Sequence, residues 1–553
     1  FGILAAGLAV GLIGVVVEIT VLRPVYKAPE LFQLVATFGV ILIIQDLALI
    51  VWGAEDLIGP RSPGLEGVVQ IFGEPVPAYD LVLIALSPFV LILLWYLFNR
   101  TRVGILVRAA TQDREMVAAL GVNQAWLFTG VFFLGSALAG IGGAVQLPKG
   151  GADLLMDFNI LAAVFVVVVI GGMGSIPGAF IAAVLISVLN VFGVQLMPQS
   201  TLVLMFVVMA IVLILRPWGL LGRPEQPGTH GQVGPPELPL TVLPTRGRML
   251  AFGIFMGLLI LPFVTGAFVK VLVADIIIFI LFAASLHFLM GPGGMVSFGH
   301  AAYYGGGAYA AALLVHYLQS PMEVALFFAP VFAGLVALIV GWFCVRLSGV
   351  YFAMLTLAFA QVLWSIVFQW TEFTGGNDGI LGVWPSAWAS DQTVYYYLVL
   401  VLGLGGVVFL RHVLHSPFGY ALRGARDSEL RSASIGMNVQ RLRWVAFIFA
   451  GGVAGMAGGL FVFAKGSIFP TELDIERSFD ALIMVLLGGV GTLSGPIVGA
   501  SVFTLMNDWF SRFEYWRLAI GLMIVLLVIL FPQGVGGFLR HRFGWVIGLK
   551  RGD

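Results

Sequence analysis

Cysteine and charge are what this sequence has least of. Cys344 is the only cysteine among 553 residues, which excludes an intrachain disulfide and a cysteine-based metal cluster. Charged residues make up 10% of the chain, against 60% hydrophobic ones, whereas a soluble globular domain is nearer a quarter charged. So few charges cannot solvate a water-exposed surface of this size. Lys plus Arg and Asp plus Glu both total 28, so no basic field points to nucleic acid. HExxH, GxSxG in a strand–turn–helix setting and a Walker sequence are all lacking, and the GxGxxG-like strings have no preceding βαβ strand. The chain therefore shows no catalytic constellation and is not expected to hydrolyse ATP. It starts at Phe1, already inside an apolar run, and no signal peptide is legible.

What is present is apolar sequence in blocks long enough to span a bilayer as helix. Backbone polar groups in lipid need internal partners, and continuous rather than alternating runs select helices over a barrel. Spans are expected near 1–22, 31–52, 78–98, 125–147, 158–172, 177–196 and 201–216, then 249–265, 270–290, 296–318, 321–345, 350–370, 394–411, 441–463, 480–491, 495–510 and 516–531. The expected fold is all-α: a polytopic membrane protein of about 17 transmembrane or partly spanning helices. The 71 glycines suit close helix packing in lipid.

Cations divide the loops into two classes. Arg23 and Lys27; Arg100, Arg102, Arg108 and Arg114; Arg216, Arg223, Arg246 and Arg248; Arg346; Arg411, Arg423, Arg426, Arg431, Arg441 and Arg443; and Arg540, Arg542, Lys550 and Arg551 fall on one side if the spans alternate. Acidic loops such as Glu55 to Glu74, Asp153 with Asp157, and Glu372 to Asp391 fall on the other. The positive side is cytoplasmic by this rule, which places the C-terminus and the Pro/Gly-rich stretch at 217–248 there. That stretch has linker composition and separates a first half, 1–216, from a second, 249–553.

The halves repeat one another. Gly104, Arg108, Gly121, Asn123, Gly140 and Gly143 recur 315 residues later as Gly419, Arg423, Gly436, Asn438, Gly455 and Gly458. Gly171, Gly172, Gly174, Gly178 and Asn190 recur 317 later as Gly488, Gly489, Gly491, Gly495 and Asn507, and Pro217 with Gly219 recur 315 later as Pro532 with Gly534. The positive loops make the repeats parallel, a symmetry suited to a central pathway. GPGGMVSFGHAAYYGGGAYAAALL at 291–314 has no partner in the first half, so about two spans are expected to precede Phe1.

The duplicated polar segments are TRVGILVRAATQDREMVAALGVNQ at 101–124 and SPFGYALRGARDSELRSASIGMNVQR at 416–441. Each is expected to form a short amphipathic helix ended by Gly121 or Gly436. Either it lies on the membrane surface or it docks a soluble partner, and two such helices predict two partner subunits. Docking would draw on Arg108, Asp113, Glu115, Gly121, Arg423, Asp427, Glu429 and Gly436. Inside the spans, Gly171, Gly172, Gly488 and Gly489 mark either broken helices lining a pathway or tight cytoplasmic turns. Ser297, His300, Thr356, Asn190 and Asn507 are pathway candidates, although polar residues also bond helix to helix. Asp275 and His287 are intramembrane ionisable groups. Few charged groups lie in the spans, so coupling to an ion gradient has little support.

Glu115 to Gly121 has the spacing of the cytoplasmic Glu-Ala-Ala-x-x-x-Gly loop of ATP-binding-cassette importers, with Met116 and Val117 in place of alanines. Glu429 stands one residue too far from Gly436. VLRP at 21–24, ATFGVILI at 36–43 and GGMGSIPGAFIAA at 171–183 resemble the LivH-type permease of the branched-chain amino acid importer. GMVSFGHAAYYGGGAY at 294–309, SGVYFAMLTLAFAQ at 348–361, TGGNDGI at 374–380 and GGVGTLSGPIVGA at 488–500 resemble the LivM type. The resemblance implies a fused, non-catalytic permease in a bacterial or archaeal cytoplasmic membrane. It also implies two ATPase subunits that bind ATP and Mg, an external substrate-binding protein, and import of branched-chain amino acids by alternating access. Urea, short-amide and sugar permeases of the same class remain alternatives, as does a secondary transporter, a channel or a membrane-embedded enzyme.

Overall fold

In the computed structural model the described residues are all except 27, 29, 61–63, 155, 197–200, 223–244, 493, 532–533 and 539–553. Most of the expected linker and the cationic C-terminus lie outside them. Every expected span is helical. The first series is α1 (Gly2–Val17), which continues through a π-turn at Glu18–Leu22 into α2 (Arg23–Val25), then α3 (Glu30–Trp52), α4 (Ala78–Arg100), α5 (Arg102–Gln112), α6 (Arg114–Ala119), α7 (Gln124–Gly150), α8 (Met156–Gly171), α9 (Ile176–Leu196) and α10 (Thr201–Leu215). The second is α11 (Thr245–Val264), α12 (Ala267–Met290), α13 (Ala301–Leu318), α14 (Met322–Cys344), α15 (Gly349–Gln369), α16 (Thr371–Thr374), α17 (Gln392–Leu414), α18 (Pro417–Asp427), α19 (Glu429–Ser434), α20 (Val439–Lys465), α21 (Ile475–Gly488), α22 (Gly495–Phe510) and α23 (Trp516–Leu530). A hairpin of β1 (Val68–Ile71) and β2 (Glu74–Pro77) joins α3 to α4, and β3 (Ile380–Leu381) pairs with β4 (Ser467–Ile468).

Among the described residues, 12 helices are long and apolar enough to cross a membrane, and Ile160–Gly171 and Val203–Leu215 are shorter apolar helices. Two expected boundaries shift. Gly291, Pro292, Gly293 and Gly294 stop α12, and regular helix resumes only at Ala301, not near 296. The helix expected from 480 begins at Ile475, because the Asp474 side chain accepts the Ile475 N–H at 2.6 Å and caps it.

The repeat carries through to the elements. Both ends of α5, α6, α7 and α10 reappear 315 residues later in α18, α19, α20 and α23. The compact units nevertheless do not follow the sequence halves. One comprises Phe1–Val184, Leu220–Gly222 and Phe513–Ile529; the other comprises Leu185–Gly219, Arg223–Arg512 and Leu530–Asp553. In the first unit, Gly7, Gly11 and Gly14 of α1 press on Ile141, Phe133 and Ser136 of α7, and Gly39 of α3 meets Gly521 of α23. In the second, Gly451, Gly455 and Gly459 of α20 face Ala337, Ala333 and Ala329 of α14, while α10 packs on α15. Small residues at a spacing of four let helix backbones approach where water supplies no hydrophobic drive.

Candidate functional site

The duplicated polar segments form matching exposed elements. Each was expected to be one helix, but each is two, because a residue in extended conformation interrupts it and caps the next turn. Asp113 accepts the Met116 N–H at 2.9 Å to start α6, and Ser428 accepts the Arg431 N–H at 3.3 Å to start α19. Side-chain oxygens at these positions satisfy donors that the helix start leaves free. Gly121 and Gly436 then reverse the chain at φ +84° and +86°, conformations that only glycine adopts without cost. Asn123 and Asn438 cap α7 and α20 on the Trp126 and Arg441 N–H groups.

The two short helices are tied to the following span at equivalent positions by different chemistry. The Arg114 guanidinium lies 4.7 Å over the Phe128 ring, while 315 residues on Arg443 pairs with Glu429 at 3.1 Å. Arg108 donates to Phe98 O and to Asn99 Oδ1, securing α5 to the end of α4. Arg423 is half-buried, and Asp113, Glu115, Asp427 and Glu429 are exposed. Leu120 and Ile435, again 315 apart, are 76% and 73% exposed. Each element thus exposes an apolar residue as well as acidic ones.

Inside the second unit a different set of groups meets. His300 is fully buried, with Nε2 2.8 Å from Ser285 Oγ and its ring stacked on Phe282. Thr356 Oγ1 accepts the Phe298 N–H at 3.1 Å, and Gly299 lies against the Thr356 carbonyl. Ser478 Oγ accepts the Ala301 N–H at 3.0 Å, so the starts of α13 and α21 meet in the interior. Ser297 Oγ and His300 Nδ1 are buried and have no hydrogen-bond partner among the described residues. The structure thus brings Ser297, His300 and Thr356 together. Asn190 and Asn507 stand apart, exposed on α9 and α22.

The glycine pairs form tight turns. A Cβ at Gly171 would strike the backbone of Gly178 and Ala179, and one at Gly488 the Gly495 carbonyl. Gly172 and Gly489 carry φ +94° and +99°. Backbone geometry alone therefore requires all four.

The sequence reading missed a buried polar group. Arg477 donates to Glu472 Oε1 at 2.6 Å and to Asp480 Oδ2 at 3.1 Å. Arg477 lies just ahead of the apolar run at 480–491 and Asp480 at its start, so the span regions carry more charge than their apolar composition suggests. Asp275, within α12, pairs with Lys465 at 2.7 Å. Gln361 Nε2 donates to Asp474 at 3.3 Å, and in the other unit Gln45 Nε2 donates to Asp157 at 3.0 and 3.2 Å. The partners occupy repeat-related positions, 316 and 317 apart. The repeat, extended to polar positions in and just ahead of the spans, marks the four residues but not their pairing. The VLRP segment also acquires a role: Arg23 and Thr129 both bond the buried Glu18 carboxylate, at 3.0 and 2.8 Å, at the π-turn.

A many-helix membrane chain with a duplicated exposed element has the form of a permease. The family described as "Branched-chain amino acid transport system / permease component" matches residues 1–215 and 268–531, and the chain belongs to it. It is the non-catalytic membrane component of an ATP-binding-cassette system, and such a component implies partner subunits. The chain is similar to the high-affinity branched-chain amino acid permease protein LivM of Escherichia coli (strain K12), 28% identical over 304 residues, covering 50% of this chain and 72% of LivM. It is 31% identical to BraD of Pseudomonas aeruginosa over 221 residues, covering 38% and 71%. It is 26% identical to LivH of Escherichia coli (strain K12) over 214 residues, covering 38% and 70%. No solved structure matches.

Proposed function

We propose that this chain is a LivH-type permease (1–216) joined through a cytoplasmic linker (217–248) to a LivM-type permease (249–553), importing branched-chain or related amino acids. The observation that carries the reading is the duplicated exposed element in a chain of this family. The α5–α6 and α18–α19 elements dock two ATPase subunits, with Leu120 and Ile435 as apolar anchors. Those subunits bind ATP and Mg; this chain binds neither. A loaded binding protein docks on the opposite face, where the acidic loops lie. ATP-driven closure of the ATPases moves the two elements together and opens the pathway alternately to each side. Ser297, His300 and Thr356 line that pathway, and the Gly171–Gly172 and Gly488–Gly489 turns end the short helices α8 and α21. The abundance of cations beside α5 and α18 supports a cytoplasmic position for both elements in a bacterial or archaeal membrane.

The test is purification of the chain with its cognate ATPases and binding protein, followed by ATP hydrolysis in proteoliposomes with leucine, urea or a sugar supplied. Leucine-loaded binding protein should stimulate hydrolysis, and Leu120→Asp with Ile435→Asp should release the ATPases. Stimulation by urea or sugar alone would assign another solute. Uptake that survives ATP depletion, with no ATPase bound, would favour a secondary carrier.

A further inference from the structure

We infer that Arg426 is a positioning residue that transmits movement of the α18–α19 element to the interior loop at 291–300. The inference rests on the proposed docking role of that element. The Arg426 side chain is held on both sides. Its Nε and Nη2 donate to Asp427 Oδ1 at 2.9 and 2.8 Å, and its Nη1 donates to Gly291 O at 2.7 Å. Its aliphatic stem lies over Gly294, where a Cβ would collide with Arg426 Cγ and where φ is +64°. A glycine is required there so that the arginine can reach across.

Gly291 is well placed to pass a displacement on. Its N–H donates to His287 O at 2.8 Å and closes α12. His287 Nε2 lies 2.8 Å from Val490 O, in the turn between α21 and α22. Downstream, the loop is bonded to α15 through Phe298 and Thr356, and to α21 through Ala301 and Ser478. The loop therefore joins one exposed arginine-bearing helix to the buried Ser297 and His300. A short, charge-assisted bond at one end and buried bonds at the other make it a strut rather than a slack connection.

The arginine belongs to one copy of the repeat. The position equivalent to Arg426 is Thr111, whose hydroxyl donates to Arg108 O at 2.8 Å within its own helix. The arginine is thus particular to the second element, despite the matching backbones.

Two measurements test this. On the purified chain alone, amide exchange across 291–300 should rise about tenfold in Arg426→Ala, with Thr111→Ala unchanged. In proteoliposomes with ATPases and binding protein, Arg426→Ala should keep the ATPases bound and basal hydrolysis near wild type. Stimulation by loaded binding protein, and uptake, should fall about tenfold or more. Arg426→Lys, which offers a single donor to Gly291 O, should recover part of both. Unchanged exchange in the loop, or wild-type stimulation in Arg426→Ala, overturns the inference. Loss of the ATPases from Arg426→Ala also overturns it, since the residue would then be a docking contact. A wild-type chain that binds no ATPase defeats the proposed docking instead, and the exchange measurement still decides whether the strut exists.

Discussion

A buried carboxylate oxygen needs a donor, and two glutamines supply one in repeat-related places. Gln361 and Gln45, 3% and 5% exposed, hold Asp474 and Asp157 at the first turns of α21 and α8. Much else has diverged between the copies, yet this pair persists, and it fixes where each short helix begins relative to the long helix beside it. Removing the donor by Gln361→Leu should cost about 0.5–1.5 kcal/mol, the net worth of one hydrogen bond, because the same Asp474 oxygen still accepts the Ile475 N–H. A lowered thermal midpoint of the detergent-purified chain would register it. The double variant Gln361→Leu with Asp474→Leu should cost less than the sum of the two single changes, because both remove the same bond; a purely additive result would show that the pair does not interact. Sequence reading found Asp157 only as one acid of a loop. Its partner is 112 residues away, and no local pattern announces the pairing.

At the scale of elements, the two docking segments show one geometry reached by two kinds of contact. The Glu429–Arg443 pair is electrostatic and partly exposed, whereas Arg114 stacks on Phe128. Exposed ion pairs contribute only about 0.2–1 kcal/mol and are screened by salt. Raising ionic strength should therefore speed amide exchange in α19 more than in α6. Equal responses would mean that neither contact holds its helix. Glycine recurrence made the segments legible in the sequence, as the turns at Gly121 and Gly436 confirm in their left-handed backbone. The break inside each was not legible, because Asp113 and Ser428 read equally well as solvated positions of a continuous helix. Only their extended backbone, with φ −148° and −161°, identifies them as caps.

At the scale of the whole molecule, each compact unit draws on both sequence halves. Segment 513–529, from the end of the chain, belongs with α1 to α8, and α10 belongs with α11 to α22. The Asp46 carboxylate accepting the Leu518 N–H at 2.7 Å shows such a junction at atomic scale, 472 residues apart in sequence. A protease site inserted within 223–244 should therefore yield two fragments that stay together after cleavage and sediment as the intact chain does. Fragments that separate in mild detergent would show that the final helices do not lock the halves together.

The sequence by itself determined the helical class, the repeat and the two exposed elements. Run length, glycine spacing and charge order are one-dimensional quantities, and the bilayer and the helix period convert them directly into structure. Only the tertiary structure decided which distant groups meet: Gln45 with Asp157, Arg477 with Glu472 and Asp480, Arg426 with Gly291, and the final helices with their units. Those choices depend on how the helices approach and rotate against one another, and side-chain geometry across that packing has no counterpart in linear spacing.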